Sequence, residues 1–185
     1  EALKVALIKD ASFFLWIEEK VEELLDRGSP AMQELIYRCA QMHLDHIASG
    51  DPFETGSSRP LDFGHWAAHK LEHLTDYKVR HGEAVAIGIA LDTTYSYLAG
   101  KLSENELNRV LNVIAHLGFD LYQPELSGEV LLKGLEEFRE HLGGELTIML
   151  LDKIGHGVEV HEMDNDLIIN AIGKLKALQL ESPKA

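Results

Sequence analysis

Apolar residues recur at three- and four-residue intervals over most of this chain, a spacing that predicts helices. Ala2 to Lys9 reads as the closing turns of one helix. Asp10 is placed to cap a second over Ala11 to Leu25, with Phe14, Ile17, Val21 and Leu24 or Leu25 facing inward. Gly28-Ser29-Pro30 stops it and starts a third, since proline suits a first helical turn. That helix is predicted from Ala31 to Ala48, with Leu35, Ile36, Cys39, Met42 and Ile47 as its buried stripe. Ser49 to Pro60 is rich in glycine, proline, serine and threonine and reads as a loop. The next helix carries His65 and His69 and ends near Thr75-Asp76. Glu83 to Leu98 is apolar on every side, which predicts a central helix buried by its neighbours, with small residues that let them approach closely. Gly100 ends it. Ser103 and Glu106 form a capping box for a helix to His116, which Gly118 terminates.

Ser127 or Gly128 opens a further helix to about Glu140, and then the period changes. Glu145 to Leu151 and Gly157 to Glu162 read as two short strands joined through Asp152 to His156, with Gly143-Gly144 turning the chain into the first. A closing helix is predicted from Asp166 to about Leu178, capped by Asp164, with a frayed tail over Glu181 to Ala185. The fold class this predicts is mostly α: one multi-helix domain over residues 1–185 with a small β-hairpin at about 145–162. Neither a repeat nor a low-complexity segment interrupts it.

Length and composition narrow the function. A chain of 185 residues, 45% of them hydrophobic, can bury a real core. Seventeen Lys and Arg against 31 Asp and Glu leave a formal charge of −14, which argues against nucleic acid or an anionic membrane as the partner. A phosphorylated substrate would need its own local cations. The single Cys39 excludes an intrachain disulfide framework and suits a reducing compartment, so a cytoplasmic location is expected. No apolar run approaches the ~20 residues of a membrane span, and no signal peptide is recognisable. The chain begins at Glu1 in what reads as a helix already under way, which suggests a piece of a longer protein.

The stretch with most chemistry is Asp62-Phe63-Gly64-His65-Trp66-Ala67-Ala68-His69, followed by His81-Gly82-Glu83. His65 and His69 share one helical face, and His81 arrives at the mouth of the next helix. Imidazoles that converge, with a carboxylate from elsewhere, are what a zinc-type ion requires. A helix N-terminus also favours neutral imidazole, the ligand form, at His81. The competing reading is a set of partly exposed helix histidines, and His73 on the same row supports it. Glu1 and Lys4 form a second pair at i, i+3, either a surface ion pair or a functional one. His43 and His46 flank Asp45 and read as a solvated face. Cys39 reads as core. Gly64 and Gly82 are expected to allow close backbone approach. There is no phosphate-cradling loop, dinucleotide fingerprint or Ser-His-Asp elbow.

Three motifs in register resemble the dehydroquinate synthases. They are Glu1-Ala2-Leu3-Lys4 with the following Leu7 to Phe14 segment, Leu61 to Glu72 around the Gly-His motif, and His81-Gly82-Glu83-Ala84-Val85. The resemblance runs from Glu1 to about Met163. It implies the helical C-terminal domain of a sugar phosphate cyclase, with the nucleotide-binding domain and most of the NAD site in a preceding region absent here. By position it implies Glu1, His65 and His81 as ligands of a divalent metal, zinc or cobalt, with Lys4 and His69 facing the substrate. In such enzymes NAD transiently oxidises a ring carbinol, phosphate is eliminated, the ketone is reduced back, the ring opens and an aldol step closes a carbocycle. The implied partner is a sugar phosphate, with a homodimer suggested by the family, and the isolated chain is expected to be inactive.

The sequence also departs from dehydroquinate synthases. Met42 stands where they carry a lysine, Ser58 or Arg59 where they carry an arginine, Asp62 where they have asparagine, and Glu137 to Gly144 replaces their Asp-Lys-Lys segment. Lost cations imply a different anion in the pocket. Arg59-Pro60-Leu61-Asp62 and His141-Leu142-Gly143-Gly144 look more like the valiolone-type cyclases, which act on a heptulose phosphate without a carboxylate, although His69 is kept as in dehydroquinate synthases. Two rival readings are the helical domain of a metal-dependent alcohol or glycerol dehydrogenase and a non-catalytic metal- or partner-binding module.

Overall fold

The computed structural model describes residues 1–48, 62–126, 128–141 and 143–181. Its helices are α1 (Ala2–Lys9), α2 (Ala11–Glu19), α3 (Val21–Leu24), α4 (Pro30–Ala48), α5 (His65–Leu74), α6 (His81–Leu98), α7 (Glu104–His116), α8 (Gly128–His141) and α9 (Asn165–Glu181). Between α8 and α9 lie strands β1 (Ile148–Lys153) and β2 (His156–Val160). They pair antiparallel, with Ile148 opposite Val160 and Leu150 opposite Val158. The mostly helical class with one hairpin is therefore observed. Among the described residues, no helix is long and apolar enough to cross a membrane.

Helix α6 is the axis. It is buried from Ala84 to Ser96 and packs against α5, α7, α9 and β1. A helix enclosed on all sides must satisfy its polar groups internally. Thr93, Thr94 and Ser96 do so by donating to the carbonyls of Ile89, Ala90 and Asp92, each at 2.7 Å. Ser96 also accepts from the backbone N–H of Leu151, which ties β1 to the axis.

The capping expectations are met at three ends. Asp10 accepts from the N–H groups of Ser12 and Phe13. Ser103 and Glu106 bond reciprocally, and Asp164 accepts from Asp166 and Leu167. Helix α1 is anchored from below by the hairpin tip, where the Gly155 N–H donates to the Leu7 carbonyl at 2.7 Å. A Cβ on Gly155, which has φ +84°, would lie 2.3 Å from the Ala11 nitrogen, so the tip seats directly on the α1–α2 junction.

Several boundaries differ from expectation. The helix predicted over Ala11 to Leu25 breaks at Lys20 (φ −100°, ψ 8°), leaving Val21 half-buried and Leu25 exposed. On α4, Leu35, Cys39 and Met42 pack against the core, but Ile36 is exposed, because only one edge of that helix meets α3 and its neighbours. Cys39 is thus half-buried and not fully core. The strands are shorter than predicted, and α6 begins at His81 instead of Glu83. His43 is exposed as expected, whereas the side chains of His46, Ile47 and His141, the loop assigned to 49–60, Ser127, Leu142 and the tail beyond Glu181 lie outside the described residues.

Candidate metal centre

Two helix N-termini and one further carboxylate build the site. His65 is the first residue of α5 and His81 the first of α6. The reversal between these helices uses Asp76 and Tyr77, both left-handed (φ 49° and 58°), and the Tyr77 N–H closes it on the Glu72 carbonyl at 2.8 Å. The start of α5 is set against α6 by close backbone contact. Gly64, at φ +77°, caps α5, and a Cβ on Gly88 would fall 1.9 Å from the Gly64 carbonyl oxygen. Close approach is therefore required at Gly64 as expected, but not at Gly82, whose Cβ would meet nothing within 4 Å.

Asp92 locks this junction. Fully buried in α6, it accepts from the Gly64 N–H at 2.9 Å and from Trp66 Nε1 at 2.8 Å. The Gly64 N–H has no partner of its own in the first turn of α5, so the buried carboxylate takes the place of a side-chain cap. Burial pushes its carboxyl up to about 7, against the smaller opposing effect of the Trp66 and Gly64 hydrogen bonds.

Glu1 reaches the two histidines from α1. Its Oε1 lies 3.3 Å from His81 Nε2 and 3.6 Å from His65 Nε2, and its Oε2 accepts from Lys4 Nζ at 2.7 Å. Ligand atoms of Glu1, His65 and His81 all lie within 4.8 Å of one another. The carboxyl of Glu1 is held well below the usual carboxylate range, first by its hydrogen bond to His65 and then by Lys4. Lys4 is almost wholly buried, with its ammonium against Glu1.

The far nitrogens of both rings have partners. His65 Nδ1 lies 3.1 Å from the Phe63 carbonyl, and His81 Nδ1 lies 3.2 Å from Glu72 Oε1 and 3.3 Å from Oε2. With the Nδ1 protons donated there, each Nε2 would be left to an ion bound at the centre in place of its present contact with Glu1 Oε1. Two imidazole nitrogens and one carboxylate oxygen form a donor set suited to a zinc-type ion with an open position. His69 stands at the rim, its ring centroid 5.6 Å from that of His65 and 6.2 Å from that of His81. Its imidazole is pushed below the ordinary value, chiefly by desolvation and next by His65. His73 is turned away, with its Nδ1 3.2 Å from the Tyr77 hydroxyl.

All five expected residues are thus brought to one place, and sequence reading missed two supports. Glu72 sits seven residues after His65, two turns along the same helical face, a spacing that could have been used. Asp92 is the one acid within the apolar stretch Ala84–Ser96, which signals a partnered buried charge.

Two clefts adjoin the centre. Glu1 and Gly82 close one end of a space of about 400 Å³ walled mainly by apolar residues such as Leu3, Ile17, Leu24 and Ile89. A second, of about 260 Å³, lies between α5 and α8 and mixes His69, Lys70, His73 and Glu137 with the apolar surfaces of Trp66 and Phe138. Lys70 there is held by both oxygens of Glu137 at 2.8 Å.

A helical domain of this topology with a two-histidine, one-carboxylate centre defines a class, and the chain belongs to the 3-dehydroquinate synthase C-terminal family, which matches residues 1–139. Among solved structures it is similar to 2-epi-5-epi-valiolone synthase (ValA) from Streptomyces hygroscopicus subsp. jinggangensis 5008, determined with NAD+ and Zn2+ bound. The TM-score is 0.89 at 29% identity, over 96% of this chain and 49% of that one. A 2-deoxy-scyllo-inosose synthase shares the fold at TM-score 0.67 and 18% identity, over 94% of this chain and 48% of that one. The chain therefore spans about half the length of these relatives.

Proposed function

We propose that this chain is the metal-binding half of a sugar phosphate cyclase acting with NAD, and that Glu1, His65 and His81 hold the metal. The observation that carries the reading is the convergence of Glu1 Oε1 with two Nε2 atoms on rings whose Nδ1 atoms have acceptors of their own. A divalent ion held by Glu1, His65 and His81 would supply polarisation of a substrate hydroxyl, and NAD would supply a hydride acceptor for that carbinol. The chain's own residues prepare that carbon. Lys4 engages Glu1 Oε2 and leaves Oε1 toward the histidines. His69 at the rim is kept neutral by its surroundings and so is suited to take a proton from the substrate near pH 7. Lys4 also supplies positive charge at the edge of the site, where an alkoxide develops.

The likeness to a valiolone synthase supports a heptulose phosphate without a carboxylate as the substrate. Met42, half-buried against the core, offers no charge for one, and Lys70 already has Glu137. A longer protein carrying this chain is expected to turn over such a heptulose phosphate faster than the carboxylate-bearing precursor of dehydroquinate. Steady-state kinetics on the two substrates checks this, and a strong preference for the acid overturns the assignment.

The metal site itself is tested by calorimetric titration of the chain with zinc and cobalt. One tight site is expected, lost in His65→Ala and in His81→Ala and kept in His73→Ala. Unchanged affinity in both of the first two variants would sink the ligand set.

A further inference from the structure

We propose that Glu72 is a positioning residue of the centre: it keeps the proton of His81 on Nδ1 and so presents Nε2 as the ligand atom. The inference rests on the metal-site reading above and assigns a role to a side chain outside the ligand set.

The two histidines face the same problem with different local means. A neutral imidazole in water favours its proton on Nε2, the wrong nitrogen for this site. His65 is nearly enclosed, and the Phe63 carbonyl, two residues back on its own chain, fixes its Nδ1 proton at 3.1 Å. His81 opens α6 with its side chain about half exposed (49%), so its own helix does not restrict the ring. Glu1 Oε1 faces its Nε2 at 3.3 Å, where an ion would lie, and the restraint on Nδ1 comes from α5. Glu72 lies two turns beyond His65, its side chain only 15% exposed, and both carboxylate oxygens stand 3.2 to 3.3 Å from His81 Nδ1. The left-handed pair Asp76 and Tyr77 folds the chain back so that these residues, nine positions apart, meet. A half-buried carboxylate accepting from a ligand imidazole fixes both tautomer and ring plane, and loss of such a partner typically lowers metal affinity about 10–100-fold.

The test uses Glu72→Ala and Glu72→Gln in the whole chain, with His73→Ala as a neighbour on the same helix. Nitrogen NMR of the histidine rings reads the tautomer directly in metal-free protein that also carries Glu1→Ala, which removes the carboxylate facing Nε2. In that background the chain with Glu72 intact and the Glu72→Gln variant, which keeps an acceptor oxygen, are expected to hold the His81 proton on Nδ1. Glu72→Ala is expected to move it to Nε2. Zinc titration should show about 10–100-fold weaker binding for Glu72→Ala, a smaller loss for Glu72→Gln and none for His73→Ala. An unchanged His81 tautomer together with unchanged zinc affinity in Glu72→Ala overturns the proposal. If the parent chain binds no zinc, the metal-site reading fails, while the tautomer experiment still decides whether Glu72 governs the His81 proton.

Discussion

Gly88→Ala should be among the most damaging single-methyl changes in this domain, costing about 3 kcal/mol or more and loosening the metal centre with it. The added Cβ would lie 1.9 Å from the Gly64 carbonyl oxygen and 2.8 Å from its carbon. Both atoms are backbone, so no side chain can swing aside, and α5 must lift from α6. Gly64 cannot adapt either, since its left-handed φ of +77° and its own tight approach to the Ile89 nitrogen hold it in place. Lifting α5 carries His65 away from His81, because each is the first residue of its helix. The same alanine substitution at Gly82, six residues earlier on α6, meets nothing within 4 Å and should leave stability unchanged or raise it by up to about 1 kcal/mol. Urea denaturation of the two variants, with zinc titration of whatever folds, checks both halves. Equal denaturation midpoints would show that the helix junction yields more readily than its geometry implies.

That contrast marks what the sequence could and could not disclose. Helix periodicity, the capping pairs at Asp10, Ser103 with Glu106, and Asp164, and the burial of the Ala84–Ser96 stretch depend on near neighbours in the chain, and they were legible. The histidines could be paired by spacing alone, because i, i+4 and a helix start are local facts. Which glycine is pressed against a backbone, Gly88 or Gly82, depends on the partner helix and has no local signature. The exposed Ile36 is similar: α4 has the right period, but only tertiary packing decides how wide its buried edge becomes. The break at Lys20 lies within a continuous apolar pattern and follows from how α3 turns to meet α4 and α7. Glu1 is the sharpest case. Nothing in its own neighbourhood says that α1, seated on the hairpin tip through Leu7 and Gly155, holds its N-cap Glu1 against two histidines more than sixty residues away. Only the motif resemblance connected them.

Asp92 gives the second large effect, and its sign runs opposite to that of most carboxylates. Replacing it with alanine leaves the Gly64 N–H and the Trp66 Nε1–H without acceptors in the core, at about 1–3 kcal/mol each. The pH dependence is more diagnostic. Burial pushes its folded carboxyl from an ordinary 3.8 up to about 7. Between those values the folded protein holds a proton that the unfolded chain has released, so stability falls as pH rises. The contribution is fully present below about pH 4 and is lost by about pH 7, with a ceiling of about 4 kcal/mol for three pK units. Asp92→Asn removes the titration while keeping one acceptor and the shape. Denaturation midpoints of parent and variant, taken from about pH 4 to about pH 8, should therefore differ by an amount that drifts against the parent as pH rises. Other acids and histidines cancel in that difference, since both proteins share them. A flat difference would mean that Asp92 stays ionised throughout, with the Gly64 and Trp66 hydrogen bonds outweighing its burial. The junction would then be a charged cap on α5 whose strength does not change across that pH range.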